Sequence, residues 1–221
     1  FSTELSHIQQ LNHPNILPIH YYGLADKFPA IEMPYMTGGN LETRIQKDIN
    51  LVTLKDAVGQ IFQALLSIHR QGVVHGNIKP SNILFDMKGN AYLSDFWLDC
   101  VVEQADTPSQ SIYMSPEQLH SQPMDSRSDI YSFGMVLFAW ITGYPPPYSA
   151  ITESEDTYEP LSLRTYLSDI TVSMNEVIQR ATEYDPSQRF GSMRDFSHAF
   201  FDALRTDKLF LKMQANMVNS S

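Results

Sequence analysis

The stretch Val73 to Phe85 reads VVHGNIKPSNILF, and its polar side chains are laid out as a phosphate or metal site would need them. Val73 and Val74 make an apolar approach to a polar turn, His75-Gly76-Asn77; Lys79, Pro80 and Asn82 follow before the chain turns apolar again. The place where a catalytic carboxylate would be expected holds Asn77. A carboxamide can accept a hydrogen bond from a hydroxyl, but it cannot take up the proton at ordinary pH.

The elements that must position this stretch can be read from spacing. Phe1, Leu5, Ile8 and Leu11 recur at helical steps and stop before His13-Pro14. Ile16 to Tyr22 and Ala30 to Met36 have strand character, separated by the turn-rich GLADKFP. After the break at Gly38-Gly39-Asn40, Leu41 to Gln46 reads as a short helix. Thr53 to Arg70 is a long amphipathic helix, with Thr53 as its N-cap and Gly72 closing it. Short strands at Ile83 to Phe85 and Ala91 to Leu93 flank the turn DMKGN. Ser128 to Thr142 is apolar on nearly every face, the pattern of a buried helix ended by Gly143. Helices are expected near Leu161 to Asp169, Ser173 to Glu183 and Ser192 to Leu204, and the pattern fades after Leu211. Strands come first and helices dominate later, which indicates an α+β protein: a small sheet-bearing lobe on a larger helical one.

Composition narrows the function. The 221 residues are 43% hydrophobic, enough for one sizeable core, and carry a net charge of -10. That balance argues against nucleic acid or an anionic membrane as the main partner, since both require clustered Lys and Arg. Cys100 is the single cysteine, so no internal disulfide can form, and a reducing, cytoplasmic setting is expected. The longest apolar run, around Met135 to Ile141, is far short of a membrane span, and no signal peptide is visible. The chain opens on Phe1 already in helical spacing, as expected of a segment of a longer protein.

Several ordered motifs resemble those of the eukaryotic-type serine/threonine protein kinases, from Phe1 to about Leu204. HGNIKPSN resembles the catalytic loop, SDFW the Asp-Phe-Gly segment, YMSPE the end of the activation segment, and SRSDIYSFGMVLFAWITGYPP the central buried helix. The resemblance implies a remnant of the small lobe over residues 1–36, a large lobe over 37–205 and a tail over 206–221. By the same resemblance Asn82 and Asp95 are the Mg²⁺ ligands, Lys79 faces the transferred phosphate, and Asn77 stands in place of the base. Met33 borders the adenine pocket, Pro34, Tyr35 and Met36 form the hinge, and Leu84 joins them as a nucleotide contact. Glu4 would be the ion-pair glutamate. The structural positions would be His75 beneath the loop, Asp129 on the backbone amides of the loop, and a Glu117–Arg189 ion pair.

Departures from the family pattern cluster where catalysis and its control reside. Gly76 occupies the usual arginine position, removing the guanidinium that would pair with a phosphorylated activation segment. Trp97 replaces the flexible glycine after Asp95-Phe96, and Ser109-Gln110 stand where Gly-Thr is usual. The glycine-rich loop and strand lysine of the family are not among these residues; by the resemblance they would lie before Phe1, unless the small lobe is truncated. Each functional reading has a plainer counterpart. Asn82 and Asp95 are also ordinary turn residues, Lys79 is also an ordinary surface lysine, and Thr107, Ser109 and Ser111 are common loop residues before they are phosphorylation sites.

The expectation is therefore a pseudokinase-like scaffold or allosteric partner of other proteins, with ATP and Mg²⁺ binding left open. The alternative is a slow serine/threonine kinase acting on protein substrates. A small-molecule phosphotransferase ranks last, because YMSPE is intact.

Overall fold

The computed structural model describes residues 8–25, 28–45, 51–96, 112–147, 158–207 and 210. Strands β1 (Tyr21–Ala25) and β2 (Phe28–Glu32) form an antiparallel hairpin in which Gly23 lies opposite Ala30 and Tyr21 opposite Glu32. A short helix α1 (Leu41–Ile45) follows, started by Asn40, whose Oδ1 accepts the Thr43 amide at 3.0 Å. Helix α2 (Leu51–His69) leads to the loop of interest, which ends in a 3₁₀ turn at Pro80–Asn82. The hairpin β3 (Ile83–Phe85) and β4 (Ala91–Leu93) comes next, then α3 (Pro116–Leu119), α4 (Ser126–Thr142), a 3₁₀ turn at Leu163–Thr165, α5 (Val172–Ala181) and α6 (Met193–Thr206).

The core is built on α2, α4 and α6. Leu54, Val58, Ile61, Phe62, Leu65 and Ile68 lie one turn apart on α2 and are all fully or nearly fully buried. Phe62 sits at the centre of an aromatic cluster, its ring 5.0 Å from Phe133 of α4 and 5.2 Å from Phe196 of α6, both edge-on. Helix α4 is buried from Ser128 through Thr142, so it forms a central post to which the other elements attach. Asp125 caps its start by accepting the Arg127 amide, and Gly143 ends it with φ of 78°. Among the described residues no helix is long and apolar enough to cross a membrane.

Four expectations change. The first two strands lie nearer their turn than the β-propensity indicated, because pairing recruits Gly23, Leu24 and Ala25. Ile16 and Leu17 join β4 instead, with the Leu17 amide donating to the Leu93 carbonyl at 2.9 Å. The long helix begins at Leu51, so Thr53 is inside its first turn rather than capping it. No helix spans Leu161 to Asp169: only the 3₁₀ turn forms there, where Leu161 and Leu163 are both buried at a two-residue spacing that an α-helix cannot direct to one side.

Candidate active site

The central helix α4 fixes the catalytic-loop candidate through one carboxylate. Asp129, fully buried, accepts the His75 amide at 2.8 Å on Oδ2 and the Gly76 amide at 2.9 Å on Oδ1. His69, at the end of α2, brings Nε2 to 2.7 Å from the same Oδ2. A charge with three such partners meets the requirement that buried ions be hydrogen-bonded. Gly76 has φ of 69°, a left-handed conformation that suits glycine and lets two successive amides point at one carboxylate.

The His75 ring joins this loop to the Asp95 segment. Nε2 lies 3.1 Å from the Ser94 carbonyl, Nδ1 accepts the Asn77 amide at 3.1 Å, and the ring packs on Phe96 with centroids 4.3 Å apart. Burial pushes the imidazole pKa down to about 4, against the raising influence of Asp129, the Ser94 carbonyl and Asp95. The ring is thus neutral at pH 7, with the proton on Nε2 and the lone pair on Nδ1 used by Asn77.

Asn77, Asn82 and Asp95 form one linked group. Asn82 Nδ2 donates to the Asn77 carbonyl at 2.8 Å, and Asn77 Nδ2 donates to the Asp95 carbonyl at 2.8 Å. Ser94 ties in from the core: its amide donates to the Asn82 carbonyl at 3.0 Å and its Oγ lies 2.8 Å from Asp95 Oδ2. Asp95 is exposed and has φ of 56°, a left-handed value uncommon for a residue with a Cβ. Ser94 engages Asp95 Oδ2, and Asn82 Oδ1 has only a long contact, 3.4 Å, from Ser81 Oγ, so Asn82 Oδ1 and Asp95 Oδ1 could serve as oxygen ligands. Such a pair fits Mg²⁺, which takes one or two protein oxygens and completes its shell with phosphate and water. Among the described residues no three His, Cys, Asp or Glu side chains are grouped so as to hold a metal by themselves. Lys79 is half-buried at the start of the 3₁₀ turn, where its carbonyl accepts the Asn82 amide at 3.0 Å.

The hinge candidates, Pro34 to Met36, lie in the coil between β2 and α1. Gly38 is pressed against β3, its amide 2.9 Å from the Phe85 carbonyl, and Asn40 bridges to Leu84. Met33, Met36 and Leu84 are partly buried, whereas Tyr35 is 89% exposed. Glu4, Trp97, Cys100, Thr107, Ser109, Gln110 and Ser111 lie outside the described residues.

The Glu117–Arg189 pair anchors the far side. Arg189 also donates to the carbonyls of Arg127, Glu183 and Tyr184, and its guanidinium lies 4.9 Å from the Tyr131 ring centroid. Three residues of the site escaped the sequence reading: His69, Ser94 and Gln118. Gln118 accepts the Ser115 amide at 3.1 Å and donates to the Gly76 carbonyl at 2.6 Å, joining α3 to the loop. The capping-box spacing from Ser115 to Gln118 was the available signal for it. His69 has none, because its partner Asp129 lies 60 residues away.

Residues 1–201 match the protein kinase domain family. The serine/threonine-protein kinase PknJ of Mycobacterium tuberculosis is 30% identical over 212 residues, covering 88% of this chain and 36% of PknJ. Human serine/threonine-protein kinase Sgk1 is 31% identical over 221 residues, covering 93% of the chain and 50% of Sgk1. A crystal structure of the PknI kinase domain of Mycobacterium tuberculosis, a double mutant, superposes with a TM-score of 0.75 at 25% identity, over 92% of this chain and 77% of that one. The chain therefore belongs to the eukaryotic-type serine/threonine protein kinase family and has its mixed helix-and-sheet fold. It spans half or less of the length of these two curated relatives.

Proposed function

We propose that this domain is a pseudokinase: a kinase-fold module that works as a scaffold or allosteric partner for other proteins and keeps the oxygen donors for Mg²⁺ and ATP. The observation that carries the reading is the state of Asn77. Its side chain has no basic atom, and its amide nitrogen is already engaged with the Asp95 carbonyl at 2.8 Å. Loss of a positioned base lowers a rate by about 10²–10⁴-fold. The intact packing of His75, Asp129, Glu117 and Arg189 supports retention of the fold without retention of turnover.

If nucleotide binds, Asn82 and Asp95 would hold the magnesium ion, which neutralises phosphate charge when present; Lys79 would face the phosphates, and Met33, Met36 and Leu84 would contact the base. A slow serine/threonine kinase acting on protein hydroxyls is the second reading, favoured by the presence of Lys79, Asn82 and Asp95 together. Radiolabelled phosphate transfer by the unsubstituted protein and by Asp95→Ala decides between them. The pseudokinase reading expects no transfer above background from either protein; transfer that disappears in Asp95→Ala would refute it. Thermal shifts with ATP and Mg²⁺ report separately on binding.

A further inference from the structure

We infer that the Asn77 carboxamide is a clasp: a positioning group that holds the Ser94–Phe96 segment against the loop by donating a hydrogen bond to the Asp95 carbonyl. The inference builds on the reading of this loop as one without a base, and gives its asparagine a purpose.

Asp95 needs such a clasp because its backbone is left-handed, with φ of 56°, a conformation that persists only when neighbours hold it. Three contacts do so. Ser94 Oγ holds the Asp95 side chain at 2.8 Å, the Phe96 ring packs on His75 at 4.3 Å, and Asn77 Nδ2 holds the Asp95 carbonyl at 2.8 Å. Of these three, Asn77 acts directly on the peptide group between Asp95 and Phe96, whose orientation sets the turn. The amide must present nitrogen to that carbonyl, since the reversed amide would set oxygen against oxygen.

An aspartate at this position would break the clasp. An ionised carboxyl has no proton to donate, so one of its oxygens would face the Asp95 carbonyl, with the Asp95 carboxylate as a second negative neighbour. The Asn82 contact would survive, because it uses the Asn77 main-chain carbonyl rather than its side chain. The substitution therefore cuts one link and leaves the next intact.

The test is amide hydrogen exchange at Asp95 and Phe96 in the unsubstituted protein, Asn77→Asp and Asn77→Ala, each at pH 7, with exchange across α4 as the control for folding. Both variants are expected to exchange about tenfold faster at pH 7, the worth of one net hydrogen bond. Unchanged exchange in both variants would overturn the clasp. If Asn77→Asp does not fold, Asn77→Ala alone carries the test, and unchanged exchange in it would overturn the clasp. Phosphate transfer by the unsubstituted protein would refute the pseudokinase reading and leave the exchange result standing, so the two ideas fail separately.

Discussion

Arg189 lies flat against Glu117, with Nη1 2.8 Å from Oε1 and Nη2 2.9 Å from Oε2, and both side chains are almost wholly withdrawn from water. The pair spans 72 residues of sequence and ties α3 to the loop between α5 and α6. Two parallel charge-assisted hydrogen bonds set the orientation of both groups. Ser128 Oγ, 2.6 Å from Glu117 Oε1, adds the start of α4 to the same knot.

Removing either partner should therefore be severe. Glu117→Ala or Arg189→Ala leaves a buried, unpaired charge and is expected to cost about 3–5 kcal/mol. The double variant Glu117→Leu/Arg189→Met should recover much of that loss. Urea unfolding midpoints of the three proteins check the order.

The same pair adds an acid limb to the stability curve. Burial opposes ionisation of Glu117, but the Arg189 hydrogen bonds and charge, with the Ser128 hydrogen bond, outweigh it and hold the carboxyl below its ordinary 4.5. A depressed carboxyl contributes stability that is present above the unfolded pKa and is lost as pH falls through the folded one. The expected loss in midpoint below pH 4.5 should be smaller in Glu117→Leu/Arg189→Met, measured by urea titration at fixed pH steps.

His75 should shape the stability curve at milder pH. Its folded pKa of about 4 is below the ordinary 6.5, so the unfolded chain binds more protons in that window. Stability is full above 6.5 and declines as pH falls toward 4, by up to about 3 kcal/mol. His75→Gln should flatten this limb while lowering stability at pH 7, through loss of the Phe96 contact. Unfolding midpoints taken across that window decide it.

Asp129→Ala should unfasten the loop. It strips acceptors from two buried amides, each worth about 1–3 kcal/mol when left unsatisfied. Amide exchange at His75 and Gly76 should rise sharply, and any thermal shift with ATP and Mg²⁺ should shrink. Asp129→Asn, which keeps one oxygen, should fall between.

Gly38→Ala tests how closely the Gly38 backbone approaches β3. A Cβ there would meet the Asp86 carbonyl oxygen at 2.3 Å and the Phe85 carbonyl oxygen at 2.6 Å, both main-chain atoms with little freedom to move. The expected cost is about 1–3 kcal/mol, as for other overpacked sites. Thermal melting reads it directly.

The long-range layout was legible because its signals are local and strong. The apolar steps of α2 and the near-continuous burial of α4 follow from side-chain spacing alone, as do the Gly72 and Gly143 stops. The β1–β2 boundaries were not, because strand ends depend on the partner strand, and neither was the missing helix at 161–169, where a handful of leucines permit several local structures.

The order of residues by itself pointed to the family, put a carboxamide at position 77 and fixed the types of atom that the loop can offer a ligand. These are properties of side-chain chemistry, which needs no coordinates. What each atom is bonded to was decided only by tertiary structure. Nothing local indicates that the Asn77 amide points at Asp95, that Gln118 reaches Gly76 or that His69 shares Asp129 with the loop, since their partners are 18, 42 and 60 residues away. A hydrogen bond is satisfied by proximity in space, and proximity is set by how α2, α3 and α4 pack.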